Sequence, residues 1–277
     1  MVAAAEPPAR TLARLYCPAP QRRAFEALLG IEAEIRAPLS GSTAHEVAHA
    51  RLAWWREECL RLAAGNALHP LARALGAQFS GPARTALAAV GGFVDLAIWD
   101  LAAATFETRR ELDAYTGRWS AALVGPLAQL ALPPEAQPRA LALGSHLHEL
   151  ELLNALPVDA RAGRLRLPLA ELAHAQVAPE EAAREEWGAP LAALVRTRHA
   201  EGRARLADAV AALAPAEQAA LPGLLVWAAL TAAHSQRARA ALPDARIPGD
   251  HLAPLDGWRA WRVARRAARG HLRLTSR

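Results

Sequence analysis

The sequence predicts an all-α fold, and three observations carry that expectation. Apolar residues recur at steps of three and four in segment after segment, with no strand-like alternation. Alanine and leucine dominate while β-branched and aromatic residues are scarce, a mixture that favours helix over sheet. Connections are short and carry Pro or Gly, as in "GNALHP", "LPPEAQP" and "LPDARIPGDHLAP". With 277 residues, 53% of them hydrophobic, the chain can bury one full core, and no repeat or composition break divides it. Residues 1–277 therefore read as a single-domain helical bundle whose pocket lies between helices.

In chain order, the first strongly periodic helix starts at a Ser42 or Thr43 cap and ends at Gly65. Ala48, Leu52, Trp55, Cys59 and Leu62 form its buried stripe. The adjoining stripe, Val47, Arg51, Trp54, Glu58 and Arg61, suits either a polar cavity or a partly solvated face. Further helices are expected over Ala83–Ala89, Phe93–Thr105 and Arg110–Leu132, the last broken near Gly125-Pro126. Then come Pro138 to about Leu156, Pro179–Ala214, Ala216–Leu242 and Leu255–Gly270. In the final one, Trp258, Trp261, Ala264 and Ala268 line one stripe, and Arg259, Arg262, Arg266 and Arg269 the next. A terminal bundle helix is expected to pack such tryptophans inward; the alternative is a lipid headgroup layer, which suits tryptophan beside arginine.

All 32 basic side chains are arginine, the better fork for phosphate. The net charge of +5 permits anionic ligands or lipid surfaces and does not call for nucleic acid. Two cysteines, Cys17 and Cys59, fit a reducing compartment better than a disulfide scaffold. "MVAAAEPPAR" lacks the apolar core of a signal peptide, and no apolar run is long enough to span a bilayer. The expectation is a cytoplasmic protein, either soluble or peripheral to a membrane. His45 and His49 have metal-pair spacing without an accompanying catalytic acid, and His146 and His148 lack even that spacing. His199 lies on an apolar line and reads as a satisfied core histidine.

"LNALPVDARAGRLRLP", Leu153 to Pro168, begins as an apolar helix and ends as a carboxylate among arginines. Asp159, Arg161 and Arg164 suit a magnesium-bound diphosphate, or else they cap and salt-bridge a helix end.

The order of several motifs resembles the squalene/phytoene synthases, head-to-head prenyltransferases of the isoprenoid-synthase fold. "RLAWWREECLRLAAGNALHPLARAL" is similar to that family's Trp-Arg-x-Glu helix and Gly-x-x-x-His-Pro turn. "GGFVDLAIWDLAAATFETRRELDAYTGRWSAALVG" resembles its Asp helix, its Thr-x-x-Glu-Leu-x-x-Tyr stretch and its Val-Gly break. "DARAGRLRLP" looks like the segment after its second aspartate-rich motif. The resemblance covers about residues 10–265 and implies the family's fold with a central cavity. It also implies Mg²⁺-assisted ionisation of an allylic diphosphate, with acid pairs on two facing helices.

In this chain each pair is half eroded. The resemblance maps the first pair onto Glu34 and Pro38, and the second onto Ala155 and Asp159. Glu151 replaces the family's Asn, His148 its Gln, and Arg166 its Tyr. Glu34, Asp159 and Glu151 are thus the candidate ligands of a weak or vestigial Mg²⁺ site. Arg51, Tyr115, Arg161 and Arg164 are the candidate diphosphate contacts. Each lost electrostatic contact at such a site costs about 2.7–4 kcal/mol of transition-state stabilisation. The expectation is therefore a catalytically impaired or non-catalytic relative, similar to the respiratory complex I assembly factors with their eroded aspartate motifs. It would bind an isoprenoid or lipid ligand, a membrane surface or a protein partner. The alternative is an active Mg²⁺-dependent transferase condensing farnesyl or geranylgeranyl diphosphates.

Overall fold

The computed structural model describes residues 8–39, 45–246 and 252–275, without the Pro38 side chain. Twelve α-helices and no named strand occur among them. Proline opens many of the helices, since its fixed φ suits the first turn and its missing N–H is no loss there. Pro8 starts α1 (Pro8–Leu15), and α2 (Ala19–Arg36) follows. Next come α3 (His45–Ala64) and α4 (Pro70–Gly76); the expected Ser42 or Thr43 cap lies outside the described residues. The expected helix at 83–89 is a tighter 3-10 segment, Gly81–Gly91, leading into α5 (Gly92–Leu101).

Two prolines that should break helices do not. α6 (Arg109–Ala131) runs through Pro126, and α7 (Gln137–Arg161) runs through Pro157. Each lost backbone hydrogen bond is offset by burial of the neighbouring Leu123 and Leu127, or Leu153 and Leu156. Gly144 sets the contact between these two helices, because a Cβ there would collide with Ser120 and Val124. Ser120 Oγ adds a bond to the Leu141 carbonyl at 2.7 Å.

Conversely, two expected helices are divided. After α8 (Leu169–His174), the stretch 179–214 splits into a short 3-10 turn and α9 (Ala189–Ala211). The stretch 216–242 splits into α10 (Pro215–Ala220) and α11 (Pro222–Ala241). Pro222 drives the second split: its ring pushes Leu221 out of helical geometry, to φ −122° and ψ 41°. α11 is deeply set in the bundle, with Leu224 to Thr231 all buried.

The last helix, α12 (Asp256–Ala267), corrects the inward-packing expectation. It buries Ala260, Val263 and Ala267, while Trp258 and Trp261 stay 56% and 48% exposed. The reason is its anchor. The fully buried Asp256 carboxylate accepts from Arg237 at 3.1 Å, Arg259 at 2.7 Å and the Ala253 N–H at 2.9 Å, which fixes the helix's rotation.

Candidate functional site

The bundle interior carries charge where a core would carry only apolar side chains. Arg10 enters from α1 and donates to Glu32 on α2 at 2.7 Å and to Glu151 on α7 at 2.8 and 3.1 Å. Two tryptophans complete the acids' coordination: Trp119 Nε1 donates to Glu32 and Trp227 Nε1 to Glu151, both at 2.9 Å. The Arg10 guanidinium also lies over the Trp227 ring at 4.9 Å. His148 lies 3.2 Å from Glu151 and stacks on Trp119 at 4.1 Å.

A second group sits beside the first. Gly163, at φ +78°, reverses the chain after α7 and brings the following arginines back onto that helix's last turn. Arg164 then reaches Asp159 at 2.8 Å. Arg166 bridges Asp159 at 3.2 Å and Asp100 of α5 at 2.7 Å, and Tyr115 donates to Asp100 at 3.2 Å. Between the two groups lies a cavity of about 10 Å³, lined by Glu32, Arg36, Asp100, Tyr115, Trp119 and apolar side chains. That is room for roughly one water.

The network neutralises itself. Four carboxylates (Glu32, Asp100, Glu151, Asp159) meet four guanidiniums (Arg10, Arg36, Arg164, Arg166). Burial alone would raise the Glu151 pKa, but Arg10 and His148 overcompensate and hold it at about 2. Glu32 and Asp100 are likewise depressed, against their own burial, by Arg10 and Arg166 respectively. Burial pushes Tyr115 up to about 12, so its hydroxyl stays a donor. Burial also lowers His148, which leaves it neutral near pH 7.

The expected metal ligands do not come together. Glu34 is 47% exposed and pairs with Arg51 at 3.5 Å on the outer side of α2. The apolar stripe Leu28, Ile31, Ile35 turns Glu32 inward, half-buried Arg36 reaches the same cavity, and position 34 lies on the other face. Asp159 and Glu151 sit in different ion-paired groups, and no cluster of three metal-binding side chains occurs among the described residues. This donor set does not fit Mg²⁺, because every interior carboxylate already faces an arginine. The expected diphosphate contacts are scattered too. Arg51 is outside, Arg161 bonds the Ala245 carbonyl at 3.2 Å, and Arg164 and Tyr115 serve acids.

The tryptophan-rich helix α3 has a structural role. Glu58, fully buried, accepts the N–H groups of Leu68 at 2.7 Å and His69 at 2.6 Å, with Arg61 at 2.8 Å. It thereby ties the His-Pro turn to the helix. Of the stripe beside the buried one, Trp54 and Arg61 line a surface groove of about 470 Å³ together with His49 and Ile98, while Glu58 is buried. His199 is the expected core histidine, bonded to Ser235 at 2.9 Å.

The squalene/phytoene synthase family model matches residues 8–273. The chain belongs to this family. Two solved family-type folds superpose on it. A dehydrosqualene synthase, in a crystal structure with ligand, gives a TM-score of 0.76 at 14% identity, covering 94% of this chain and 90% of that one. The squalene synthase HpnC from Alicyclobacillus acidocaldarius gives 0.64 at 17% identity, covering 83% and 87%. No curated protein matches in sequence. The shared fold is the all-α isoprenoid-synthase bundle, and the self-neutralised network occupies its interior.

Proposed function

We propose that this squalene/phytoene synthase relative is catalytically impaired and acts by binding at an anionic membrane surface. The observation that carries the first half is the placement of Arg10 and Arg166 between the interior carboxylates. An allylic diphosphate needs free acids to recruit divalent ions and a pocket of about 300–1,000 Å³. The cavity between the two charged groups offers about 10 Å³, and the acids beside it are already neutralised by the protein. Release of inorganic diphosphate from farnesyl or geranylgeranyl diphosphate in Mg²⁺ tests this. No release above the protein-free blank is expected, and titration calorimetry should show at most a slight gain in affinity for a non-hydrolysable analogue on adding Mg²⁺. Robust release would establish the transferase alternative.

The second half rests on α12. Leu252, Leu255, Trp258 and Trp261 form an exposed apolar row. Arg262 lies over Trp258 at 4.3 Å and Arg265 over Trp261 at 5.3 Å, so cations flank the rings. No helix among the described residues is long and apolar enough to cross a membrane, so attachment would be at the surface. Each arginine near an anionic bilayer contributes about 1 kcal/mol, so changing Arg262, Arg265 and Arg269 to Gln should weaken liposome binding by about 100-fold. Cosedimentation with phosphatidylglycerol vesicles measures it, and equal binding by the triple variant would remove α12 from the surface.

A further inference from the structure

Imidazole is the commonest protein ligand of late transition metals, and two imidazoles chelate when a helix presents them one turn apart. α3 does so at its start. His45 and His49 are both exposed, lie four residues apart on one face, and meet through the same ring atom, Nε2 to Nε2 at 2.9 Å. The rings stand edge to face, 4.4 Å between centroids and 78° between planes. A hydrogen bond across this contact needs one ring to donate and the other to accept. On a wet surface such a bond adds little, because both nitrogens can bond water instead.

The separation suits a shared metal ion. Two metal–imidazole bonds of about 2.0–2.1 Å at a right angle place their nitrogens about 2.8–3.0 Å apart, whereas a tetrahedral angle needs about 3.3 Å. The observed 2.9 Å falls on the right-angle value. That is the tetragonal arrangement of Ni²⁺ or Cu²⁺. No cluster of three His, Cys, Asp or Glu side chains occurs among the described residues, so the protein supplies two ligands and water the rest. His49 also lines the groove that holds Trp54 and Ile98, so the pair is reached directly from solvent. Hard, oxygen-seeking Mg²⁺ has no place in such a donor set.

We propose that His45 and His49 chelate a divalent late transition metal ion through their Nε2 atoms, at a surface site separate from the interior carboxylates. Each ring then keeps its proton on Nδ1, and the ion ties two successive turns together at the start of α3. Calorimetric titration of the untagged, metal-stripped chain with NiCl₂ tests this, with MgCl₂ as the comparison ion. One equivalent of Ni²⁺ is expected to bind, and Mg²⁺ is not. His45→Gln and His49→Gln should each weaken Ni²⁺ binding by about tenfold or more, since even outer-shell partners of a metal are worth about 10–100-fold. The double variant should be little worse than either single one, because one imidazole alone no longer chelates. His174→Gln, at an exposed histidine elsewhere, should change nothing. No Ni²⁺ binding, full retention by either single variant, losses that simply add in the double variant, or an equal loss in His174→Gln would overturn the proposal.

Discussion

Arg166→Met is expected to lower the unfolding free energy by about 3–5 kcal/mol, the usual cost of stranding buried charge by removing one partner. Arg166 joins the chain after α7 to α5 by serving Asp159 and Asp100 together, and both its own side chain and that of Asp100 are nearly inaccessible. Methionine fills much of the same space, so the loss reports charge and not volume. Asp159 retains Arg164 and Asp100 retains the Tyr115 hydroxyl, which keeps the effect from growing further. Urea denaturation at pH 7 measures it, and Asp100→Asn in the Arg166→Met background should recover part of the loss. The variant also frees two hard carboxylates that one guanidinium had bridged. Millimolar MgCl₂ should therefore raise its denaturation midpoint while leaving the wild type unmoved. A loss below about 1 kcal/mol would mean that the pair is not held as described.

That residue also marks how far the sequence could be read. The all-α class and the central helices were legible, because their apolar stripes repeat over several turns. The Gly163 turn and the arginines after it were visible as a clamp, but its object was not. Arg164 and Arg166 hold the protein's own Asp159 and Asp100, and nothing local to "DARAGRLRLP" names Asp100 as a partner. The phase of α2 was misjudged for a different reason. Matching a motif placed Glu34 inside, whereas the apolar stripe Leu28, Ile31, Ile35 turns Glu32 inward, and that stripe was readable. Arg10 left no signal at all: its partner Glu151 is 141 residues away, and helical periodicity carries no information about such pairings. Trp258 and Trp261 were undecidable from spacing alone, since the buried Asp256 carboxylate, not the stripe, sets the rotation of α12.

Arg10→Met should be as damaging as Arg166→Met at neutral pH, about 3–5 kcal/mol, and its pH dependence should identify the cause. In the wild type, Glu151 titrates at about 2 in the folded state against an ordinary 4.5, and Glu32 is also depressed. A depressed carboxylate contributes stability that is present above its unfolded pKa and lost as pH falls through the folded one. The wild type should therefore lose stability between about pH 4.5 and 2. Without Arg10, burial dominates and the two acids prefer to be protonated, so their folded pKa values rise above the unfolded ones. The sign then reverses: their contribution is present at low pH and is lost as pH rises through the raised values. The gap between wild type and variant should accordingly be widest near pH 7 and should narrow steadily on acidification. Arg10→Met combined with Glu32→Gln and Glu151→Gln should close most of the gap at pH 7, because neutral amides need no cation and can still accept from Trp119 and Trp227. Guanidinium or urea melts at several pH values decide the matter. A gap that stays constant with pH, or a triple variant no more stable than Arg10→Met, would mean that Arg10 stabilises the docking of α1 by packing alone and that the interior acids do not depend on its charge.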